Sequence, residues 1–222
     1  MIYRKYQMPG TILLFVVSVV CFADLIQAGS IFRYTERTGD KVTQFRMEVG
    51  QGSPLTIISS EPGKQFRNLC LADGSQLEWG FTSETEWVSV KREENTLRFK
   101  AKLDGKTINK IEKIDSSPWF QGLSFSLRRW LASGDDSITF WMVRPDDLDI
   151  HKMKAEREEI ESVEVGDRKV EAQRVRVKLA GAFSLFWSVT YWFRTSDFLL
   201  VRYEGVHGPP GTPGTTITLD DV

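Results

Sequence analysis

Apolar and polar residues alternate with a period of two over most of this chain, and few folds accept such a pattern. Phe45, Met47 and Val49 share one parity, with Arg46 and Glu48 on the other. Leu77, Trp79 and Phe81 alternate with Gln76, Glu78 and Gly80, and Leu97, Phe99, Ala101 and Leu103 alternate with Arg98, Lys100 and Lys102. Successive side chains of a strand point to opposite faces, so each stretch reads as a strand with one dry and one wet face. Turn chemistry falls between the stretches. Asp73-Gly74 and Asp104-Gly105 are two-residue hairpin signals, because both central positions tolerate positive φ, and Glu93-Glu94-Asn95 reads as a third turn. Residues 31–114 therefore read as an antiparallel meander.

The period changes once. Ser117-Pro118 has the form of an N-cap followed by proline at the first helical position. Leu123, Leu127, Trp130 and Leu131 follow at helical spacing, and Gly134 suits the position just past a helix end. One amphipathic helix is expected at about 119–132, its apolar stripe laid against the sheet. Strands then resume with Ile138, Phe140 and Met142, with Val175, Val177 and Leu179, and with Leu199, Val201 and Tyr203. Leu185, Trp187, Val189, Tyr191 and Phe193 form the most aromatic face in the chain. Residues 165–168 and Thr195-Ser196-Asp197 read as turns. Residues 151–163 have helical propensity but lie between strands, and they read as a long, exposed strand. The proline- and glycine-rich stretch 208–214 cannot join a central ladder, and residues 215–219 offer a last short strand. The expected fold is mostly β: one strongly curled antiparallel sheet of about ten strands, a half-barrel or barrel, clasping one α-helix.

Arg4 and Lys5 precede an uncharged apolar run from Thr11 to Phe22. Its length suits a secretory signal and falls short of the ~20 residues that span a bilayer. Cleavage after Ala28 would open the mature chain on Gly29-Ser30, with cleavage after Ala23 as the alternative. Asp24 interrupts the run too early for an anchor, and Val20 stands before Cys21 where lipidation needs a small residue. Residues 1–28 are thus expected to be a signal peptide, 29–222 a single β-rich domain, and the compartment the periplasm. Cleavage leaves Cys70 as the one cysteine, so no intrachain disulfide can form. Between Leu69 and Leu71 it reads as a buried core thiol. A net charge of −1 gives no reason to expect a nucleic acid partner, whose backbone demands a basic face.

Catalytic signatures are missing from the sequence. It has no G-x-S-x-G elbow, no H-E-x-x-H, no Walker loop and no Cys-x-x-Cys, and its only imidazoles are His151 and His207. Asp147, Asp149 and His151 would share one face of an extended segment, but Arg144-Pro145 opens as a turn, and a solvated acidic strand edge is the stronger reading. No catalytic residue, metal ligand or cofactor is assigned, and an enzyme is not expected.

Aromatics carry the remaining signal: seven Trp, fourteen Phe and five Tyr. A packed core accounts for most of them. A half-closed sheet also leaves a concave apolar groove. Trp79, Phe99, Trp187, Tyr191 and Phe193 would line it, with Leu123, Leu127 and Trp130 facing it from the helix and Trp119 beside Trp130 across its mouth. Such a groove under a lid helix suits a lipid or a lipoprotein acyl chain. The alternative is a solid core in a structural or protein-interaction component of an envelope assembly, and a third reading is a metal- or carboxylate-dependent hydrolase.

Several segments together carry a resemblance: Ser117-Pro-Trp119, Leu127-Arg-Arg-Trp130, Phe140-Trp141, Glu171-Ala172-x-Arg174-Val175, Tyr191-Trp192-Phe193, and 200–205 (LVRYEG) followed by 208–213 (GPPGTP). Over residues 115–219 the chain resembles an uncharacterised family of exported bacterial β-proteins. That resemblance implies no activity, since the family has none assigned. The overall plan is also similar to the lipoprotein-carrier and lipoprotein-receptor half-barrel of the Gram-negative periplasm, a bent antiparallel sheet with helix on its concave side. This second likeness is one of architecture.

Overall fold

A computed structural model describes residues 29–181, 187–206 and 212–220. Eight strands run in sequence as a meander: β1 (Ile31–Thr38), β2 (Lys41–Val49), β3 (Leu55–Glu61), β4 (Lys64–Cys70), β5 (Gln76–Ser83), β6 (Trp87–Glu93), β7 (Thr96–Leu103) and β8 (Lys106–Lys113). A linker and helix α1 (Leu123–Ser133) follow. A second meander holds β9 (Ser137–Val143), β10 (Ile150–Val165), β11 (Arg168–Leu179), β12 (Ser188–Arg194), β13 (Leu200–Val206) and β14 (Gly214–Leu219). All fourteen strands form one antiparallel sheet in the order β8-β7-β6-β5-β4-β3-β2-β1-β14-β13-β12-β11-β10-β9. The two meanders are thus joined by their outer ends, Tyr34 opposite Leu219 and Thr38 opposite Thr215, and the two ends of the sheet are the strands on either side of the helix.

The mostly-β, curled architecture is the expected one, with fourteen strands where the alternation suggested about ten. Local chemistry sets the hairpins. Asp104 and Gly105 both have positive φ (48° and 73°), which a two-residue turn between right-twisted strands requires. Glu94 (φ 52°) turns β6 into β7. Gly74 has φ 88°, and a Cβ there would lie 3.1 Å from Ser126 Cα, so the helix rests directly on this turn. Residues 151–163 fall within the 16-residue β10. Pairing with β9 on one side and β11 on the other overrides their helical propensity, and Met153, Ala155 and Val163 are buried rather than exposed.

The sheet rolls past its own edge, and this produces two cores. The first surrounds α1 and takes in Tyr34, Met47, Ile57, Phe120, Leu127, Trp130, Phe140, Met153, Val177 and Phe193. The second lies between β5–β8 and the back of β9, with Trp79, Phe81, Val90, Leu97, Phe99, Trp119, Val143 and Leu148. Consecutive residues serve opposite cores: Trp119 the second and Phe120 the first, Phe140 the first and Trp141 the second. β9 and the linker therefore form a partition with apolar side chains on both faces. Each fully buried Phe or Leu contributes roughly 1.5–3 kcal/mol of transfer free energy.

This partition corrects the helix boundaries. Ser117-Pro118 does not cap a helix. Residues 118–120 run extended beside β9, Trp141 N–H donating to Pro118 O (2.8 Å) and Phe120 N–H to Trp141 O (2.9 Å). Adjacent aromatics can enter opposite cores only on extended backbone, which is why residues 119–122 are not helical. The N-cap is Gly122, without a side-chain cap, and Gly134 ends the helix with φ 87° as expected. Gln121 completes the edge of β9: its Oε1 accepts Val143 N–H (2.9 Å) and its Nε2 donates to Val143 O (2.7 Å).

Candidate functional site

The expected groove residues fall into two groups. Trp79 and Phe99 are buried in the second core, Trp79 edge-on to Phe81 at 6.1 Å. Leu123, Leu127, Trp130 and Phe193 are buried in the first core. Tyr191 stacks on Phe193 (6.1 Å) and leans on Tyr203 (4.9 Å), while Trp187 packs half-buried at the margin and donates Nε1–H to Val206 O (3.2 Å). The structure brings these last six together and separates Trp79 and Phe99 from them by the β9 partition. Trp119, expected on the helix, lies in the linker and is fully buried in the second core. Leu185 and His207 lie outside the described residues.

Helix α1 is fastened from several directions. Ser126 Oγ donates to Gly74 O (2.7 Å), and Arg129 Nε to Ala72 O (2.7 Å). Arg157 of β10 donates to Leu131 O and lies over the Trp130 ring at 5.4 Å. Arg128 is 3% exposed, and its Nε donates to Asp197 O (2.8 Å). Burial works against the Arg128 charge, and the Asp197 carboxylate at 3.9 Å counters it. Burial likewise pushes the Asp197 carboxyl up. The bidentate Arg194 (3.0 and 2.8 Å), the Leu199 N–H and the two guanidinium charges outweigh it and leave Asp197 below the usual carboxylate range. Tyr34 Oη donates to Leu200 O above this group, and burial raises its phenol.

A second buried polar cluster joins the linker to β4 and β5. Gln76 Nε2 donates to Asn68 Oδ1 (2.9 Å) and Glu78 O (2.7 Å), and Gln76 N–H donates to Trp119 O (2.8 Å). Cys70 donates its thiol to Gln76 Oε1 (3.6 Å). Burial, and then the Asp73 charge, push the thiol pKa up to about 12, so Cys70 is an unreactive core residue at neutral pH.

Asp147 and Asp149 belong to a closed turn. Arg144 Nε donates to Asp147 Oδ1 (2.8 Å), Arg144 also reaches Asp149 (3.4 Å), and Leu148 (φ 62°) enters the second core between them. The Arg144 hydrogen bond holds the Asp147 carboxyl below its ordinary range despite partial burial. His151 stands opposite Met142 in the β9–β10 ladder. Among the described residues no three His, Cys, Asp or Glu side chains gather at metal-binding distance.

Two clefts lie on the exterior. One of about 290 Å³ is lined by Arg33, Gln44, Arg46, Glu61 and Asp220, and one of about 310 Å³ by Thr35, Arg37, Gly166 and Thr218. Both are open, and no helix residue lines either. The outer face of β6–β8 has a different character. Trp87 is 41% exposed, opposite Lys102, and Ile111 is 53% exposed, opposite Arg98. Lys91 and Arg98 are balanced by Glu78 and Glu93 (2.7 and 2.8 Å). Among the described residues no ion pair holds Lys100, Lys102 or Lys113 of this face. Sequence reasoning passed over Trp87. Its parity with Ser89 and Lys91, against Val88 and Val90, is the signal that marks it as outward.

These features define a curled, helix-filled β-sheet protein. No protein-family model and no curated protein sequence matches the chain. Among solved structures it is similar to a β-barrel-like protein of the domain of unknown function DUF1849 from Brucella abortus, at 10% identity and a TM-score of 0.54, covering 85% of this chain and 94% of that one. It overlays more loosely on the hypothetical lipoprotein YmcC from Escherichia coli, at 8% identity and a TM-score of 0.41, covering 91% and 89% of the two chains. A putative exported protein with a YmcC-like fold from Bacteroides fragilis gives 12% identity and a TM-score of 0.36, with 87% and 95% covered. The Brucella likeness is one of fold, and it agrees with the expected resemblance to uncharacterised exported bacterial β-proteins.

Proposed function

We propose that this chain is an exported, non-enzymatic binding protein of the bacterial envelope that meets its partner with the outside of its sheet. The observation that carries this reading is the occupied interior. The space that a carrier would offer to an acyl chain holds α1, with Phe125, Leu127, Trp130 and Leu131 at 5% exposure or less. The apolar run before Ala28 supports export, and the cationic outer face with Trp87 supplies a surface for recognition.

The acyl-chain carrier stands as a second reading because Trp187 and Tyr191 are only partly buried at the margin of the first core. Native mass spectrometry separates the two. The protein is exported by a Gram-negative host and purified without detergent. A clean apo mass, with no uptake of added fatty acid or phospholipid, is expected. A mass excess of one acyl lipid, lost on organic extraction and weakened by Trp187→Ala, would replace the surface reading with the carrier.

A further inference from the structure

The sheet has two ends, and they are finished differently. The β9 edge is paired by Pro118–Phe120 and by the Gln121 amide. Among the described residues no strand pairs with the outer edge of β8. The β7–β8 register runs without a shift through all eight pairs, from Thr96–Lys113 to Leu103–Lys106. The edge thus has neither bulge nor proline, and what guards it against indiscriminate pairing is charge, from Lys106, Lys110, Glu112 and Lys113.

The outward groups can be assigned. Ile114 N–H donates to Asn95 O (2.9 Å), one step beyond the Thr96–Lys113 pair. Hydrogen-bonded and non-bonded pairs alternate along an antiparallel ladder. Lys113, Ile111, Asn109 and Thr107 therefore turn their N–H and C=O groups away from β7. A second copy is a poor occupant. Two antiparallel β8 strands that met through all four outward residues would set Lys110 directly against Lys110, and like charges directly opposite repel. Lys113, with Lys100 and Lys102 on the same face of the neighbouring strand, favours carboxylates. Exposed Ile111 and half-buried Ile108 offer apolar contact on the two faces.

We infer that β8 is a docking edge for an extended acidic peptide segment of a partner protein, added to the sheet as a fifteenth strand with carboxylates on alternate residues. This rests on the surface-binding reading above and names its site and the chemistry of its partner.

The test uses two synthetic octapeptides, alternating Glu-Val and alternating Lys-Val, with the full mature protein. Fluorescence anisotropy gives affinity, and NMR amide exchange locates the contact. The Glu-Val peptide is expected to bind at least tenfold tighter than Lys-Val. It is also expected to slow exchange at Thr107, Asn109, Ile111 and Lys113 more than at Ile108 and Lys110. Ile111→Pro, which deletes an outward N–H at an exposed position, is expected to remove binding. Lys100→Glu/Lys102→Glu/Lys113→Glu is expected to reverse the charge preference, and circular dichroism checks that both variants keep their fold. Absence of Glu-Val binding overturns the inference, as does binding that survives Ile111→Pro or protection that appears elsewhere. A dimer of the free protein that protects the same four amides overturns the heterologous partner. A lipid-bound native mass strikes instead at the underlying reading, so the two failures are distinguishable.

Discussion

The first core is built around a helix, and the second is built from strands and a linker. In the first, α1 presents its stripe to strands of both meanders, and polar bonds from Arg128, Arg129, Ser126 and Arg157 hold it in place. In the second, one meander covers the back of the other, and Trp119 is the linker residue that plugs the gap. Neither core is complete without the β9 partition. The contrast teaches that a single sheet can supply both walls of a sandwich by rolling past itself, provided its inner edge has no unsatisfied hydrogen bonds.

Mutations can break or sharpen this contrast. The largest effect is expected from Trp119→Ala, which empties the linker's place in the second core and should lose about 3–5 kcal/mol in urea unfolding. Leu127→Ala in the first core should lose about 2–5 kcal/mol. If the partition couples the two cores, both variants unfold in one transition by fluorescence and circular dichroism alike, and two separate transitions would divide the cores into independent units. Gln121→Ala comes next. It strips both edge partners from buried Val143 and is expected to cost about 1–3 kcal/mol while the helix signal is retained.

Asp115 gives the smallest effect and a pH signature. It accepts hydrogen bonds from Lys152, Trp141 Nε1 and Ser117 N–H, which hold its carboxyl well below the usual aspartate range. A depressed folded-state pKa contributes stability above the unfolded value of about 4, and that contribution is lost as the pH falls through the folded pKa. The melting temperature of Asp115→Asn is therefore expected to lie slightly below that of the parent at pH 7. The gap should shrink on acidification below pH ~4. A gap that widens in acid would remove Asp115 from the seam.

Much of the sheet was legible because alternation and turn chemistry are local. Asp104-Gly105, Glu94 and Gly134 each took the conformation that their neighbours imply. The linker was not legible. Ser117-Pro118 carries a valid helix-start signature, and only the presence of two cores requires Trp119 and Phe120 to diverge. The strand count fell short where apolar and polar residues mix, as in β3 and β4, few of whose residues are fully buried. The proposed groove joined residues by parity alone. Parity gives the face of a sheet but not which turn of the roll that face meets, so Trp79 and Phe99 were grouped with Phe193 across a partition that no local pattern reveals.

The β1–β14 pairing also has a consequence in time. Each meander joins neighbours in sequence and can form by quick local steps, but Tyr34 must find Leu219 across nearly the whole chain. Until then β1 and β14 each keep an open flank, Tyr34 and Leu219 lack their burial, and the polypeptide is two loosely related ribbons. If the chain is exported unfolded, amino end first, as proposed, it is expected to stay pliable through most of its passage and to lock late, when the β14 segment emerges. Deleting residues 214–219 should slow or stop that final step, leaving a species that captures other unpaired strands.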